Sequence, residues 1–372
     1  MKQILLLIVL LLFMVACTQQ QAAIKEQSNV YKIGVMLPST GDVAVLGQPM
    51  IDAVKMAADE INEKGGIRGK KIELVIEDSK CNPKEASTAA TKLTSVDKVV
   101  AIVGELCSSA TLAAAPISEA AKIVQISPAS SNYKISEAGD YIFRTFPSDA
   151  LQGAEGAKLI VKLGYKKAAF FHINNDYGVG FKEVFTKNLA ELGGEAVVVE
   201  QHNQGDTDFK TQLTKIKNSK PDALYLVSHP AEGAIIMKQL KELGIKIPVV
   251  SSEALKDESF IKNAGGAAEG VILTYPTVDM TSSEYKEFAE EYKEYYGKEP
   301  GAFVPEAFDA ANVLFKAIEM SDGTSEGIKN ALYKIQGYKG ASGEISFDEK
   351  GDVSKPYSVF KVEKGKFLEV TE

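Results

Sequence analysis

The chain has 372 residues, of which 45% are hydrophobic and 8% aromatic, and its formal net charge is -8 at pH 7. This length and composition are typical of a globular protein with room for two domains and exclude a disordered chain. The negative charge argues against nucleic acid as a partner, because phosphate binding requires a clustered basic surface and the lysines here are interleaved with Asp and Glu.

The N-terminal residues are typical of an export signal. Lys2 is followed by an apolar run, residues 4–15, that is shorter than a typical transmembrane helix. Residues 14–17 resemble the lipobox of bacterial lipoproteins, in which the cysteine, here Cys17, is lipidated; an ordinary signal peptide is the alternative. Residues 18–29 would then form a polar tether. We therefore predict an extracytoplasmic protein that is anchored to the membrane through lipid chains.

The chain contains three cysteines. If Cys17 carries a lipid, Cys81 and Cys107 remain in a compartment where disulfides persist. We therefore predict a disulfide between them, with two buried free thiols as the alternative. Closing a loop of this length stabilises a fold by roughly 3 to 4 kcal/mol in the chain-entropy model.

Strands and helices alternate over the first part of the chain. Short β-branched runs predict buried strands, and apolar residues at helical spacing, such as Ile51, Val54 and Ala58, predict amphipathic helices. The predicted order is strand 31–37, helix 47–64, strand 71–77, helix 82–95, strand 99–103, helix 108–122, strand 123–126 and strand 141–146.

A second alternating series follows. It comprises helix 149–163, strand 168–172, helix 177–193, strand 195–200, helix 207–218, strand 223–227, helix 230–243, strand 247–250 and strand 271–275. The remaining chain is predicted to be helical until a final hairpin of strands 357–362 and 366–370. Two alternating series of about five strands each predict an α/β protein with two doubly wound parallel-sheet lobes.

Ligands of open parallel sheets bind outside the carboxyl ends of the strands. Ser108 and Ser109 begin a predicted helix there, which favours an anion, although an ordinary capped helix is the alternative. Together the loops at these ends offer hydroxyls, one tyrosine and carboxylates that include Glu253, which suits a small solute with an anionic and a cationic end. The loops are residues 38–42, 104–109, 127–131, 174–177, 228–230 and 251–253.

Motifs for catalysis or metal binding are missing from the sequence. The histidines, His172, His202 and His229, lie outside any HExxH or CxxC context, and we expect His202 to be exposed to solvent. Residues 178–180 begin like a dinucleotide fingerprint, but Glu183 stands where the third glycine belongs. We therefore predict a binding protein without a metal or cofactor, with an exported hydrolase as the alternative.

Several tracts together resemble the type I periplasmic solute-binding proteins, especially those for leucine, isoleucine and valine that feed ABC importers. The resemblance extends over nearly the whole mature chain. Its most specific tracts are residues 61–69, 78–83, 104–109, 127–129, 301–304 and 348–352.

This resemblance implies two discontinuous lobes joined by three crossovers, near Phe146, Thr277 and Pro356. Lobe 1 would contain residues 30–146 and 278–355, and lobe 2 residues 147–277 and 356–372. A protein of this kind closes on its ligand by a hinge motion and delivers it to a membrane permease. We expect a monomer, and a sensor of the same fold is the alternative function.

The resemblance also implies a clamp for an α-amino acid. Ser108 and Ser131 would hold the ligand carboxylate, the Ala129 carbonyl and Glu253 would hold the ammonium, and Tyr177 would cover the ligand.

The side-chain end of the site departs from the branched-chain pattern. Leu106, Cys107 and Phe303 would line it, but Leu46 and Ser228 stand where aromatic residues are expected. The pocket is therefore expected to be wider or more polar than in a branched-chain binding protein.

Overall fold

The computed structural model describes residues 29–370, and the fold is built on two large β-sheets. The first sheet has five parallel strands in the order β2-β1-β3-β4-β5. Its strands are β1 (Val30–Leu37), β2 (Lys71–Asp78), β3 (Ala101–Gly104), β4 (Val124–Ser127) and β5 (Ile142–Arg144).

The second sheet has seven strands in the order β14-β13-β10-β9-β8-β6-β7, and its last two strands in sequence run antiparallel to their neighbours. A separate hairpin pairs β11 with β12. These strands are β6 (Lys167–Ile173), β7 (Glu195–His202), β8 (Ala223–Val227), β9 (Val249–Ser251), β10 (Ile272–Pro276), β11 (Tyr338–Gly340), β12 (Gly343–Ile345), β13 (Tyr357–Glu363) and β14 (Lys366–Glu369).

Helices lie between most of the consecutive strands, and the last three follow one another between β10 and β11. They are α1 (Ala44–Glu63), α2 (Pro83–Thr91), α3 (Ser108–Ala121), α4 (Asp149–Lys162), α5 (Asp176–Glu191), α6 (Lys210–Ser219), α7 (Pro230–Glu242), α8 (Glu258–Ala264), α9 (Ser283–Tyr296), α10 (Val304–Met320) and α11 (Ser325–Leu332). Strands β3, β4 and β8 are buried along their whole length, as expected for strands covered by helices on both faces.

The predicted α/β fold with two doubly wound sheets is confirmed. The main differences between the predicted and the observed secondary structure are local. The helix predicted over 82–95 ends at Thr91 and continues as a wider π-helical turn, Lys92–Asp97. The hairpin β11–β12 was not predicted because its three-residue strands, with Gly340 and Gly343, are too short to show a periodic pattern.

The parallel parts of the two sheets share one topology. In each, the second strand of the series lies at the edge, the first is next to it, and the third, fourth and fifth follow on the other side. The order therefore reverses between β1 and β3 and again between β6 and β8. A crevice forms at such reversal points, outside the carboxyl ends of the strands, and this places the candidate site.

The molecule has two halves, each built on one of the two large sheets, and they touch beyond these strand ends. The Asp176 N–H at the start of α5 donates to Ser109 Oγ at 2.9 Å, and the Asn132 side-chain amide donates to the Asp176 carbonyl. Gly180 allows this approach, because a Cβ atom there would lie 2.3 Å from Asn132 Nδ2. The structure is therefore that of a closed arrangement, with the halves in contact around the crevice.

A disulfide joins Cys81 to Cys107, and their Cα atoms are 5.4 Å apart. Both residues are buried. The bond ties the segment after β2 to the residue that precedes helix α3, and so fixes one side of the crevice.

We expect the exported protein to have no reactive thiol at Cys81 or Cys107. Replacing both with serine should lower the free energy of unfolding by roughly 3 to 4 kcal/mol, because the unfolded chain loses the constraint on a loop of 26 residues. Thiol labelling under denaturing, non-reducing conditions checks the first expectation and urea unfolding the second. Labelling of both residues in protein taken from the cell envelope would contradict the prediction; reduced protein is the positive control.

Within residues 29–370, no helix is both long enough and apolar enough to cross a membrane. Cys17 and the export signal predicted around it lie outside the described residues.

Candidate functional site

A cavity lies between the two halves and contains about 370 Å³ of atom-free space, its mouth included. A concave site lined by apolar side chains and a few polar groups is typical of small-molecule binding. Every predicted ligand-contacting residue except Ser228 lies on its wall. The lining residues are Leu46, Leu106, Cys107, Ser108, Ala129, Ser131, Asn175, Tyr177, His229, Glu253, Ala254 and Phe303.

The N-terminus of helix α3 forms one side of the cavity. Ser108 is its first residue and is buried, and its Oγ accepts a hydrogen bond from the Asn132 N–H at 3.1 Å. The first N–H groups of a helix have no acceptor within the helix, and the helix dipole adds a partial positive charge there. This side of the cavity therefore favours an anionic group.

Glu105 holds the loop that leads to this helix. Its fully buried carboxylate accepts hydrogen bonds from the Ser79 hydroxyl and the Cys107 N–H, and burial raises its pKa to about 7. The hydroxyls of Ser127 and Ser130 donate to its backbone carbonyl at 2.6 and 3.0 Å. Glu105 thus connects the loops after β2, β3 and β4, a positioning role that the sequence analysis did not find.

Arg144, at the end of β5, is fully buried behind the loop that carries Ser131. Its guanidinium donates to both carboxylate oxygens of Asp352, from Nε at 2.6 Å and from Nη2 at 2.8 Å. Its Nη1 donates to the carbonyls of Ser131 and Asn132, at 3.1 and 3.0 Å. Arg144 therefore fixes the backbone of this loop, and Asp352 belongs to the 348–352 tract that the sequence analysis singled out.

Two buried carboxylates lie close to the cavity, Glu253 on its wall and Asp149 behind Ser131. Glu253 is on the wall, and burial raises its pKa to about 7. Asp149, the first residue of α4, is fully buried behind Ser131, and burial together with the charge of Glu253 raises its pKa well above its ordinary value. Glu253 Oε2 and Asp149 Oδ1 have no hydrogen-bond partner. This pattern predicts that a cationic group completes the site.

The Ser131 hydroxyl donates to Asp149 Oδ2 at 3.0 Å. Since a hydroxyl has a single proton, its oxygen is left to act as an acceptor toward the cavity.

Tyr177 covers the cavity from the second half. Helix α5 begins beside it, capped by Asn175, whose Oδ1 accepts from the Gly178 N–H at 3.0 Å. Position 178 requires glycine, because a Cβ atom there would lie 2.0 Å from the Ile173 carbonyl oxygen. The Tyr177 hydroxyl and Ser252 Oγ are 2.6 Å apart, and burial raises the pKa of Tyr177 well above its ordinary value. Tyr177 therefore contributes a neutral ring and hydroxyl.

Ser228 lies away from the cavity. Its Oγ is 3.1 Å from Nε2 of His202, which is buried against the rings of Phe171 and Phe209, so the expectation that His202 is exposed to solvent is wrong. The next residue, His229, takes the place on the wall. It directly precedes the first residue of α7 and follows the end of β8, so it lies at the carboxyl end of that strand.

Within the described residues, one group of potential metal ligands comes together: the sulfurs of Cys81 and Cys107 and a ring nitrogen of His229 lie within 4.8 Å of one another. The two sulfurs are bonded to each other, whereas metal binding requires thiolates. The oxidised protein therefore offers no complete metal site at this point.

The two serines on the wall lack the partners of a catalytic nucleophile. Ser108 and Ser131 hydrogen bond to a backbone N–H and to Asp149, and neither bonds to a histidine. The arrangement is suited to holding a small zwitterion, with opposite charges at its two ends.

Comparisons with known proteins show which family the chain resembles. The sequence profile of the family described as periplasmic binding protein matches residues 30–366. The chain is 30% identical over 335 residues to a leucine-, isoleucine-, valine-, threonine- and alanine-binding protein of Pseudomonas aeruginosa, and the match covers 89% of each chain.

Two solved structures have the same fold over most of the chain. A leucine binding protein from Thermotoga maritima is 33% identical, with a TM-score of 0.86 over 92% of this chain and 98% of that one. A branched-chain amino acid transporter substrate binding protein from Streptococcus pneumoniae, in complex with isoleucine, is 30% identical, with a TM-score of 0.83 over 92% of this chain and all of that one.

Proposed function

The chain belongs to the periplasmic binding protein family, and from this premise we propose that it binds a free α-amino acid as the extracytoplasmic substrate-binding component of an ABC importer. One observation carries the proposal: a cavity between the two halves has an anion-favouring helix start on its wall, with Glu253 on another part of the wall and Asp149 behind it, each with an unpartnered buried carboxylate oxygen. The relatives support it, because they bind leucine, isoleucine and similar amino acids.

The charges assign the two ends of the ligand. The carboxylate accepts from the N-terminus of α3 and the Ser108 hydroxyl. The ammonium donates to Glu253 and the Ala129 carbonyl. Ser131, which was expected at the ligand carboxylate, is reassigned: its hydroxyl already donates to Asp149, so its oxygen accepts from the ammonium, and Asp149 adds negative charge behind it.

The walls around the ligand side chain are mostly apolar. Leu46, Leu106 and Phe303 lie there, and Phe303 packs against the ring of Phe146 at 5.3 Å. A side chain of branched-chain size fits this environment. The proposed protein binds its ligand and does not convert it chemically.

Binding and release would occur by hinge motion of two lobes. Lobe 1 comprises residues 30–146 and 278–355, and lobe 2 residues 147–277 and 356–372. The sheets support this division, since β1–β5 lie within lobe 1 and β6–β10 with β13 and β14 within lobe 2. The closed contacts around Asp176 represent the ligand-holding state.

Calorimetry with a panel of L-amino acids and their N-acetyl and amide derivatives tests the function. We expect at least one free amino acid to bind and both blocked forms of it to fail, because each modification removes one charge that the site is built to hold. Acetylated ligands that bind as tightly as free ones would contradict the proposal and favour a different solute. Recovery of unchanged ligand after long incubation checks that none is turned over.

The affinity should rise with pH until it levels off above about 7. Burial raises the pKa of Glu253 to about 7 in the free protein, and the Asp149 pKa is raised as well. The bound ammonium favours the ionised carboxylate, so the free protein holds a proton that the complex lacks. Affinity then falls by up to about tenfold for each pH unit below 7. Calorimetry from about pH 5 to 8 measures this; a flat profile would contradict it, and Glu253→Gln, which cannot ionise, is the control.

We also propose that Cys17 carries the membrane anchor of the mature protein, because small residues precede it after a short apolar run. Cys17→Ser is expected to release the protein from the membrane fraction, since lipid chains would be its only attachment. Cell fractionation with mass spectrometry of the N-terminus measures this. Retention of the variant in the membrane with its first sixteen residues attached would contradict the lipoprotein prediction.

A further inference from the structure

His229 is a polar group on the cavity wall that the proposed clamp leaves unused. It is 6% exposed, and neither of its ring nitrogens has a hydrogen-bond partner. Its ring lies nearly parallel to that of Tyr177, with an interplanar angle of 15° and centroids 6.2 Å apart. Buried polar side-chain atoms in native proteins nearly always have a partner, so an unpartnered imidazole on a cavity wall indicates that the ligand supplies one.

The groups around His229 do not satisfy it. A ring nitrogen lies within 4.8 Å of the sulfurs of Cys81 and Cys107, which are weak acceptors and carry no proton in the disulfide. Burial lowers the pKa of His229 to about 4, so the ring is neutral at physiological pH and has one donor and one acceptor. The negative charge of Asp42, an exposed residue, raises the pKa of His229 but offsets the effect of burial only in part.

We propose that His229 selects an α-amino acid whose side chain carries a neutral hydrogen-bonding group, a hydroxyl or an amide, over an apolar side chain of the same shape. This inference rests on the proposed amino-acid function and specifies the ligand class. A ring nitrogen of His229 lies within 4.8 Å of the Cys107 sulfur, and Cys107 is expected to line the side-chain end of the site, so His229 faces the part of the ligand that the clamp does not hold.

The selection follows from the cost of leaving a buried polar group unpaired. A site that hydrogen bonds to a ligand hydroxyl rejects the analogue without it strongly, because its own polar group is then stranded, whereas a purely apolar pocket discriminates weakly between the two. A charged side chain is disfavoured, because Glu253, the charged residue among those that line the cavity, is already assigned to the ligand ammonium, and burying an unpaired charge is costly.

Two isosteric ligand pairs test the inference: L-threonine against L-valine, and L-asparagine against L-leucine. For the wild-type protein we expect the polar member of at least one pair to bind about 10- to 100-fold more tightly than its apolar partner. His229→Phe keeps an aromatic ring but removes both nitrogens, and it should abolish or reverse this preference. His229→Gln keeps a donor and an acceptor, and it should retain the preference at least in part.

Competition calorimetry gives the affinity ratios, with circular dichroism to show that each variant is folded. If the wild-type protein binds valine and leucine as tightly as threonine and asparagine, or more tightly, the selection by His229 is wrong while the amino-acid function stands. An unchanged ratio in His229→Phe would also overturn it. If no amino acid binds to the folded wild-type protein, the proposed function fails and this inference fails with it.

Discussion

Replacement of Glu253 by alanine is expected to weaken binding of the amino acid by roughly 30-fold to several thousandfold, which corresponds to about 2 to 5 kcal/mol. Once the two halves close, the ligand ammonium is removed from water. Glu253 is 2% exposed and has an unpartnered oxygen, so it supplies a full countercharge at this position. Its loss leaves the ammonium with Asp149, which stands behind Ser131 and does not line the cavity.

Calorimetry on two further variants isolates the charge. Glu253→Gln keeps the shape and one acceptor oxygen, so its affinity should lie between those of the wild-type protein and Glu253→Ala. Glu258→Ala removes an exposed carboxylate from the same region and should leave the affinity within about twofold, because exposed charges are screened by solvent. Equal affinity of Glu253→Ala and wild type would show that Glu253 does not face the ammonium, and the clamp would have to be reassigned.

The fold and much of the site were predictable because they depend on local patterns. Alternating strands and helices predict parallel sheets, and the carboxyl ends of parallel strands meet at one edge whatever the details of packing. Ser108, Tyr177 and Glu253 come directly after strands or begin the elements that follow them, so this rule brings them to the same cavity.

The residues that the sequence analysis missed depend on contacts that sequence does not encode locally. Asp149 is the first residue of a helix, where carboxylates are usually solvated. Only the structure shows that it is buried and that it contacts Ser131. Glu105 is identified by its bond to Ser79, 26 residues earlier in the chain. In the predicted loop 228–230, His229 lines the cavity and Ser228 does not, because the residue that faces the cavity depends on the turn into α7.

The second large effect is expected for stability. Arg144→Met should lower the free energy of unfolding by about 3 to 5 kcal/mol, because it leaves one partner of a buried ion pair without the other. The side chain of Arg144 is fully buried and that of Asp352 is 14% exposed, so water can replace the guanidinium only in part. The substitution also removes the donors to the carbonyls of Ser131 and Asn132.

Two variants separate the charge of Arg144 from its geometry. Arg144→Lys keeps the charge but lacks the planar fork that reaches both oxygens of Asp352, so it should recover only part of the loss. In Arg144→Met with Asp352→Asn no unpaired charge remains, and this double variant should be more stable than Arg144→Met alone.

Urea unfolding followed by far-UV circular dichroism measures these free energies, since the chain has no tryptophan to serve as a fluorescent probe. A loss of less than about 1 kcal/mol in Arg144→Met would be typical of an exposed ion pair and would contradict the buried arrangement. Ligand affinity provides a second measurement. Because Arg144 fixes the backbone of the loop that carries Ser131, folded Arg144→Lys should bind the amino acid less tightly than wild type even where its overall fold is intact.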